Sequence, residues 1–179
     1  IVQYQKEIYA DAIPILETLA NQFQLAAHIC VLEQHHVVYL LREMGHQDVK
    51  LVTKSGRSND VHCTAEGQAI LAFKSEKVIH KVISRPLKKY TKHTVTDPEI
   101  LLEQLLSIRY EQYAITKETY AIGFISFAVP IRDYTGEVVS SLALIGPSKN
   151  INEGQYGEVV NVLRKSGKEV SEMLGYYDD

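Results

Sequence analysis

The chain predicts an α+β domain, with helices layered on a largely antiparallel sheet. Three observations carry that expectation. Apolar residues recur at helical spacing near both ends of the chain. Several short runs are apolar or alternate in polarity, with turn residues between them. Adjacent runs are joined by connections short enough to make antiparallel neighbours. At 179 residues, 45% hydrophobic and 23% charged, the chain has the size of one domain with a full core.

Ile8, Ala12, Ile15, Leu16, Leu19 and Phe23 define an amphipathic first helix, and Pro14 either kinks it or marks where its regular part begins. Gln24–Leu32 and Val37–Leu41, on either side of the polar Glu33-Gln34-His35-His36, predict a β-hairpin. Val49–Thr53 reads as a third short strand and Lys54–Asp60 as a polar loop. Thr64 is placed as the N-cap of a helix running through TAEGQAILA. Glu76–Ile83 is a further helix, stopped by Arg85-Pro86.

Asp97-Pro98-Glu99 opens the next helix, with proline at its first position. Leu101, Leu102, Leu105, Leu106 and Ile108 are expected to form its buried side. Ala114–Lys117 predicts a short strand. Phe124–Ile131 and Val138–Ile145 form a second hairpin across the turn residues Asp133-Tyr134-Thr135-Gly136, ending at Gly146-Pro147. Asn152 and Gln155 have capping-box spacing before a last helix, whose apolar stripe is Tyr156, Val159, Val160, Leu163, Val170 and Leu174.

Composition narrows function. The formal net charge is −3 and there is no long basic stripe, so this segment is not expected to grip nucleic-acid phosphates itself. No apolar run is long enough for a membrane helix, and no signal-peptide pattern opens the chain. Two well-separated cysteines, Cys30 and Cys63, make no disulfide framework and fit a reducing cytoplasm. A start at Ile1 is compatible with a domain from a longer protein.

Candidate chemistry is sparse. His28-x-Cys30 lies on one strand face and His62-Cys63 precedes a helix, but neither pair has the spacing of a zinc finger or knuckle. Ser126 has no nucleophile elbow, and Ser140-Ser141 lies within a strand with no assignable base. Asp178-Asp179 sits at the end of the chain, where solvation explains it. The basic stretch Arg85–Lys92 reads as a solvated loop. No cofactor is expected.

The start of the Thr64–Leu71 helix is different in kind. Its small residues permit close approach, and the free amides of a first helical turn favour anions. The competing reading is that Ala65, Gly67, Ala69 and Ala72 merely let the helix pack on the sheet. Glu66 would repel an anion if it pointed inward. Ser126, Ala143 and Ile145 lie in strands too apolar to face solvent, so a polar atom there is either satisfied internally or looks into a cavity.

Four segments, ILETLANQFQLAAHICVLE at 15–33, VHCTAEGQAILA at 61–72, YTKHTVTDPEILLEQLLSIRYEQYA at 90–114 and GFISFAVPIRDYTGEVVSSLALIGP at 123–147, together resemble the effector-binding domain of the IclR family of bacterial transcriptional regulators. The resemblance spans nearly the whole chain. It implies a GAF-like domain with a curved antiparallel sheet flanked by helices. It also implies a small-molecule effector (an organic acid or a more apolar metabolite), assembly as a homodimer or homotetramer, and contact with operator DNA only through a separate N-terminal winged helix-turn-helix. A GAF-type sensory module attached to another output, such as a signalling enzyme, is the alternative, and a small hydrolase or metal enzyme is a third class.

Carried over position by position, the resemblance implies effector contacts from the amides of Ala65 and Glu66 and from the side chains of Thr116 and Ser126. It places Ala143 and Ile145 on the opposing wall; Phe124 and Leu71 are expected to complete that apolar wall. Ala143 and Ile145 replace hydroxyl residues common in carboxylate-binding relatives. A carboxylate buried there would lack donors, which is costly. The sequence therefore leans towards an apolar effector with one polar end, or a pocket closed by its own side chains. Gln68 stands where lysine is common, and Gln112 where glycine usually ends the helix.

Overall fold

A computed structural model describes residues 2–45 and 58–178. The expected strand Val49–Thr53 and most of the loop before Asp60 lie outside the described residues. Six helices, α1 (Val2–Ile8), α2 (Ile13–Phe23), α3 (Ala65–Leu71), α4 (Glu76–Ile83), α5 (Pro98–Glu111) and α6 (Tyr156–Met173), flank one sheet. Its strands are β1 (Ala26–Glu33), β2 (His36–Glu43), β3 (Ser58–Asp60), β4 (Ala114–Lys117), β5 (Phe124–Arg132) and β6 (Val138–Pro147). They run in the order β3-β2-β1-β6-β5-β4, and every neighbouring pair is antiparallel.

The apolar runs lack clean alternation because the sheet is buried on both faces. On one face Ile29, Leu40, Phe127 and Leu144 meet Leu16 and Leu19 of α2 and Val159 and Leu163 of α6. On the other, Cys30, Tyr39, Ala128 and Ala143 meet Ala65 and Ala69 of α3, Ile79 of α4 and Leu101 of α5. Small residues on both sides of this second interface bring α3 close to the sheet. Gly67 is the tightest point: a Cβ there would fall 2.6 Å from Val37 Cγ2 and 2.8 Å from Val61 Cγ2.

Most boundaries follow their local signals. Pro14 stands at the start of α2 and does not kink it, since a 3₁₀ turn at Ala10–Ala12 precedes that helix. Asp97 caps α5 by accepting a hydrogen bond from Glu99 N, and the Asn152/Gln155 capping box is formed, with one 3₁₀ turn before α6. In the β5–β6 turn Gly136 takes φ +84°, and the Asp133 carboxylate accepts from Thr135 N.

Four expectations are corrected. Residues 58–60 are strand, not loop, because β2 offers them a free edge at His36–Val38. The Thr64 hydroxyl does not cap α3; it donates backwards to Asp60 O at 3.1 Å. Leu102 and Leu106 are exposed, because only Leu101, Leu105 and Ile108 fall on the side of α5 that meets the sheet. Ile8, counted in the first apolar stripe, is also exposed.

Candidate functional site

The site forms where the first turn of α3 lies over β4, β5 and the end of β6. Antiparallel pairing sets Thr116 opposite Ser126 and Ser126 opposite Ile145, so three side chains from three strands stand in one row. Above that row, Ala65 N donates to Thr116 Oγ1 at 3.2 Å, and Ser141 Oγ donates to Glu66 O at 2.8 Å. The Thr116 hydroxyl thus occupies the Ala65 amide, one of the two amides expected to meet an effector.

Glu66 is the unusual member. It is fully buried, and its carboxyl accepts a 2.7 Å hydrogen bond at Oε2 from the Tyr39 phenol. Asn59 Nδ2 donates in turn to the Tyr39 oxygen at 3.0 Å. Oε1 accepts no well-formed hydrogen bond among the described residues. Burial raises the Glu66 pKa; the Tyr39 hydrogen bond, the residue's own backbone and the nearby Ser126 hydroxyl oppose that rise without cancelling it. The same burial pushes the Tyr39 phenol and the Cys63 thiol up, so neither ionises readily.

These groups enclose a cavity of about 20 Å³, room for one water. Of the residues expected at the effector site, Glu66, Thr116, Phe124, Ser126 and Ile145 line it. Ala65, Leu71 and Ala143 belong to the adjoining buried cluster and are not among its lining residues. Tyr39, Asn59, Cys63 and Thr64 complete the inner wall, and Glu118, Thr119, Tyr120 and Ala121 form the outer one. Tyr39 and Asn59 were not legible as site residues. A tyrosine inside a buried apolar strand does need a partner for its hydroxyl, which is a signal for Tyr39; Asn59 carried none.

The outer wall is tied down. Thr91 Oγ1 donates to Glu118 O at 2.5 Å and Thr94 Oγ1 to Thr119 O at 2.7 Å, while the Tyr90 and Tyr120 rings pack at 5.0 Å. Glu118 itself has φ +58°, and its Oε1 accepts from Gly123 N at 3.0 Å. A larger groove of about 360 Å³, lined by residues of α5 and β4, adjoins the cavity and shares Thr116 and Thr119 with it.

His28 and Cys30 do not join this site. They lie on the α3 face of β1, where the His28 ring meets Tyr39 edge-on at 5.2 Å. His62 contacts Lys88 O at 2.8 Å. Among the described residues no three His, Cys, Asp or Glu side chains could hold one metal ion, and no helix is long and apolar enough to cross a membrane.

A sheet buried on both faces carries a small polar cavity beneath one helix. Residues 2–172 match the sequence family of the bacterial transcriptional regulator IclR C-terminal domain. The chain belongs to that family, which is regulatory and not enzymatic. It is 28% identical over 152 residues to the transcriptional regulator KdgR of Dickeya chrysanthemi, covering 84% of this chain and 50% of the relative. It is 28% identical over 167 residues to the p-hydroxybenzoate hydroxylase transcriptional activator of Acinetobacter baylyi, covering 89% and 61%. The chain thus spans little more than half the length of these relatives.

Solved structures agree. The Thermotoga maritima IclR superposes with a TM-score of 0.86 at 30% identity, over 96% of this chain and 68% of that one. An IclR homologue from Microbacterium hydrocarbonoxydans, solved with 4-hydroxybenzoate, superposes with a TM-score of 0.86 at 27% identity, over 94% and 68%.

Proposed function

We propose that this chain is the effector-binding and oligomerising part of a cytoplasmic bacterial transcriptional regulator. Its DNA contacts would come from another domain of the full protein. The observation that carries the reading is the cavity: five of the eight residues expected at the effector site line one small space under α3. The 4-hydroxybenzoate bound by a relative with the same fold supports a small-molecule effector. Ala65, Leu71 and Ala143 then support the wall from behind, while Ser126 and Thr116 supply polar contacts.

At about 20 Å³ the cavity is close to full, so binding requires the Glu118–Ala121 wall to yield towards the adjoining groove. An effector that prefers the opened arrangement shifts the population towards it. In a homodimer or homotetramer that shift can alter the spacing of the DNA-binding heads. A thermal-shift screen with carboxylic, aromatic and amine metabolites tests the reading. A ligand present at 100 times its Kd adds about 2.7 kcal/mol of stability. Silence across a broad set rejects effector binding by this chain.

A further inference from the structure

The lining of the cavity has a sign. Among the described residues it carries two carboxyl side chains, Glu66 and Glu118, and no lysine, arginine or histidine. Glu118 has partners outside the cavity wall: Gly123 N at 3.0 Å, and His93 Nε2 at 3.4 Å. Glu66 is held at Oε2, and among the described residues Oε1 is a buried acceptor with no well-formed hydrogen bond.

Apart from the Thr116 and Ser126 hydroxyls, the side-chain donors named in the same lining are already committed. The Tyr39 hydroxyl goes to Glu66, Asn59 to Tyr39, the Thr64 hydroxyl to Asp60 O and the Thr119 hydroxyl to Cys63 O. The first amide of α3 goes to Thr116. Ala143 and Ile145 bring no hydroxyl to β6. An incoming carboxylate would therefore face the Glu66 carboxyl in a low-dielectric space and find few protons to receive it, and the two could not both be ionised there without cost. An ammonium group would find the reverse.

We infer that the cavity receives the protonated head of a small primary amine, with Glu66 Oε1 as its acceptor and counter-charge. This rests on the effector-binding reading above and deepens it by naming the ligand class. Thr116 and Ser126 offer oxygen lone pairs to the remaining N–H groups, and the carbon skeleton extends towards the groove between α5 and β4, where Ile108 and Val95 offer apolar contact.

The test uses the 179-residue chain and three probes sharing one skeleton: propylammonium chloride, 1-propanol and sodium propionate, with sodium chloride as the salt control. The expected result is saturable binding of propylammonium by calorimetry, with propionate at least about tenfold weaker. The Glu66→Gln variant keeps the shape and removes the charge, and is expected to erase that preference. Because this variant could fail to fold, the ¹³C resonance of the Glu66 carboxyl is followed in the wild-type chain. It should move with propylammonium and not with propionate.

Propionate binding as tightly as propylammonium would overturn the inference and leave effector binding intact. A still Glu66 resonance with all three probes also overturns it. Only the failure of the broader metabolite screen counts against the effector reading itself.

Discussion

The Tyr39 hydroxyl reaches from β2 to the first turn of α3 and donates to Glu66 Oε2 across 2.7 Å. This bond holds the buried acid in one position, and Asn59 of β3 holds the tyrosine in turn. Removing the phenolic oxygen strips a partner from both neighbours at once. Tyr39→Phe should therefore cost about 1–3 kcal/mol, the range for leaving buried polar groups unsatisfied. Urea denaturation of the two chains measures it, and an unchanged midpoint would show that the network contributes nothing.

Ser126 tests the site more gently. It is only half-buried, opposite Thr116 on one side and Ile145 on the other. Ser126→Ala should leave the melting temperature nearly unchanged while weakening effector binding, read by calorimetry with the ligand that emerges from screening. Equal affinity in both chains removes Ser126 from the site.

Stability should bend in opposite directions with pH because of two buried groups. Burial first, and the charge of Arg42 second, lower the His28 pKa to about 3, against an opposing backbone hydrogen bond. Below its ordinary value of about 6.5 the unfolded chain takes up a proton that the folded chain refuses. Stability therefore falls on acidification from there towards pH 3, by about 1.4 kcal/mol per pH unit from this group. Glu66 does the opposite: its pKa is raised on folding, so its contribution is present below the unfolded carboxylate value and is lost as pH rises through the folded one. Denaturation at a series of pH values should show the acid-side slope persisting in Glu66→Gln while the loss at higher pH disappears. In the wild-type folded protein, the His28 ring should show no titration between pH 5 and 8.

Gln112 ends α5 in the left-handed region, φ +65°, with its amide donating to Ile108 O at 2.7 Å. The helix stops there without a glycine, at a backbone cost of about 1–2 kcal/mol. Its side chain returns part of that by donating to Arg109 O at 2.7 Å and accepting from Arg132 at 3.3 Å. Gln112→Gly should still raise the melting temperature by about 2–4 °C, the shift that roughly 1 kcal/mol produces in a domain of this size. A fall would mean that the Arg132 contact outweighs the backbone strain.

Gly67→Ala should go the other way. Its new methyl would crowd Val37 Cγ2, Thr64 Oγ1 and Val61 Cγ2, all within 2.8 Å. Overpacking of this kind typically costs about 1–3 kcal/mol. Thermal unfolding at matched concentration reads the loss, and a neutral result would show that α3 can lift from the sheet at no cost.

The fold was legible wherever a local signal sufficed. Asp97-Pro98, the Asn152/Gln155 box and the Asp133–Gly136 turn each act over four residues or fewer, and each stands where the sequence put it. Leu102 and Leu106 misled because a leucine-rich helix has more apolar positions than the sheet can cover. β3 was missed because Ser58–Asp60 has no strand character of its own; the open edge of β2 makes it a strand. At the site, Ser126 and Ile145 of the second hairpin were legible through the family resemblance, which matches positions one by one along a continuous segment. Tyr39, Asn59 and the Glu118–Ala121 wall came from contacts between distant segments, which a sequence pattern does not encode.

The strand order has one more consequence. β1 and β6 meet in the middle of the sheet, pairing Ala26–Cys30 with Ser141–Ile145 across more than a hundred intervening residues. Tyr39 and Asn59 come from one side of that seam, and Thr116, Ser126 and Ile145 from the other. No fragment from a single side of the seam can carry the cavity, which requires the pairing most distant in sequence. Occupancy should therefore be felt in the slowest-exchanging amides of β1 and β6 as strongly as in the residues that touch the ligand.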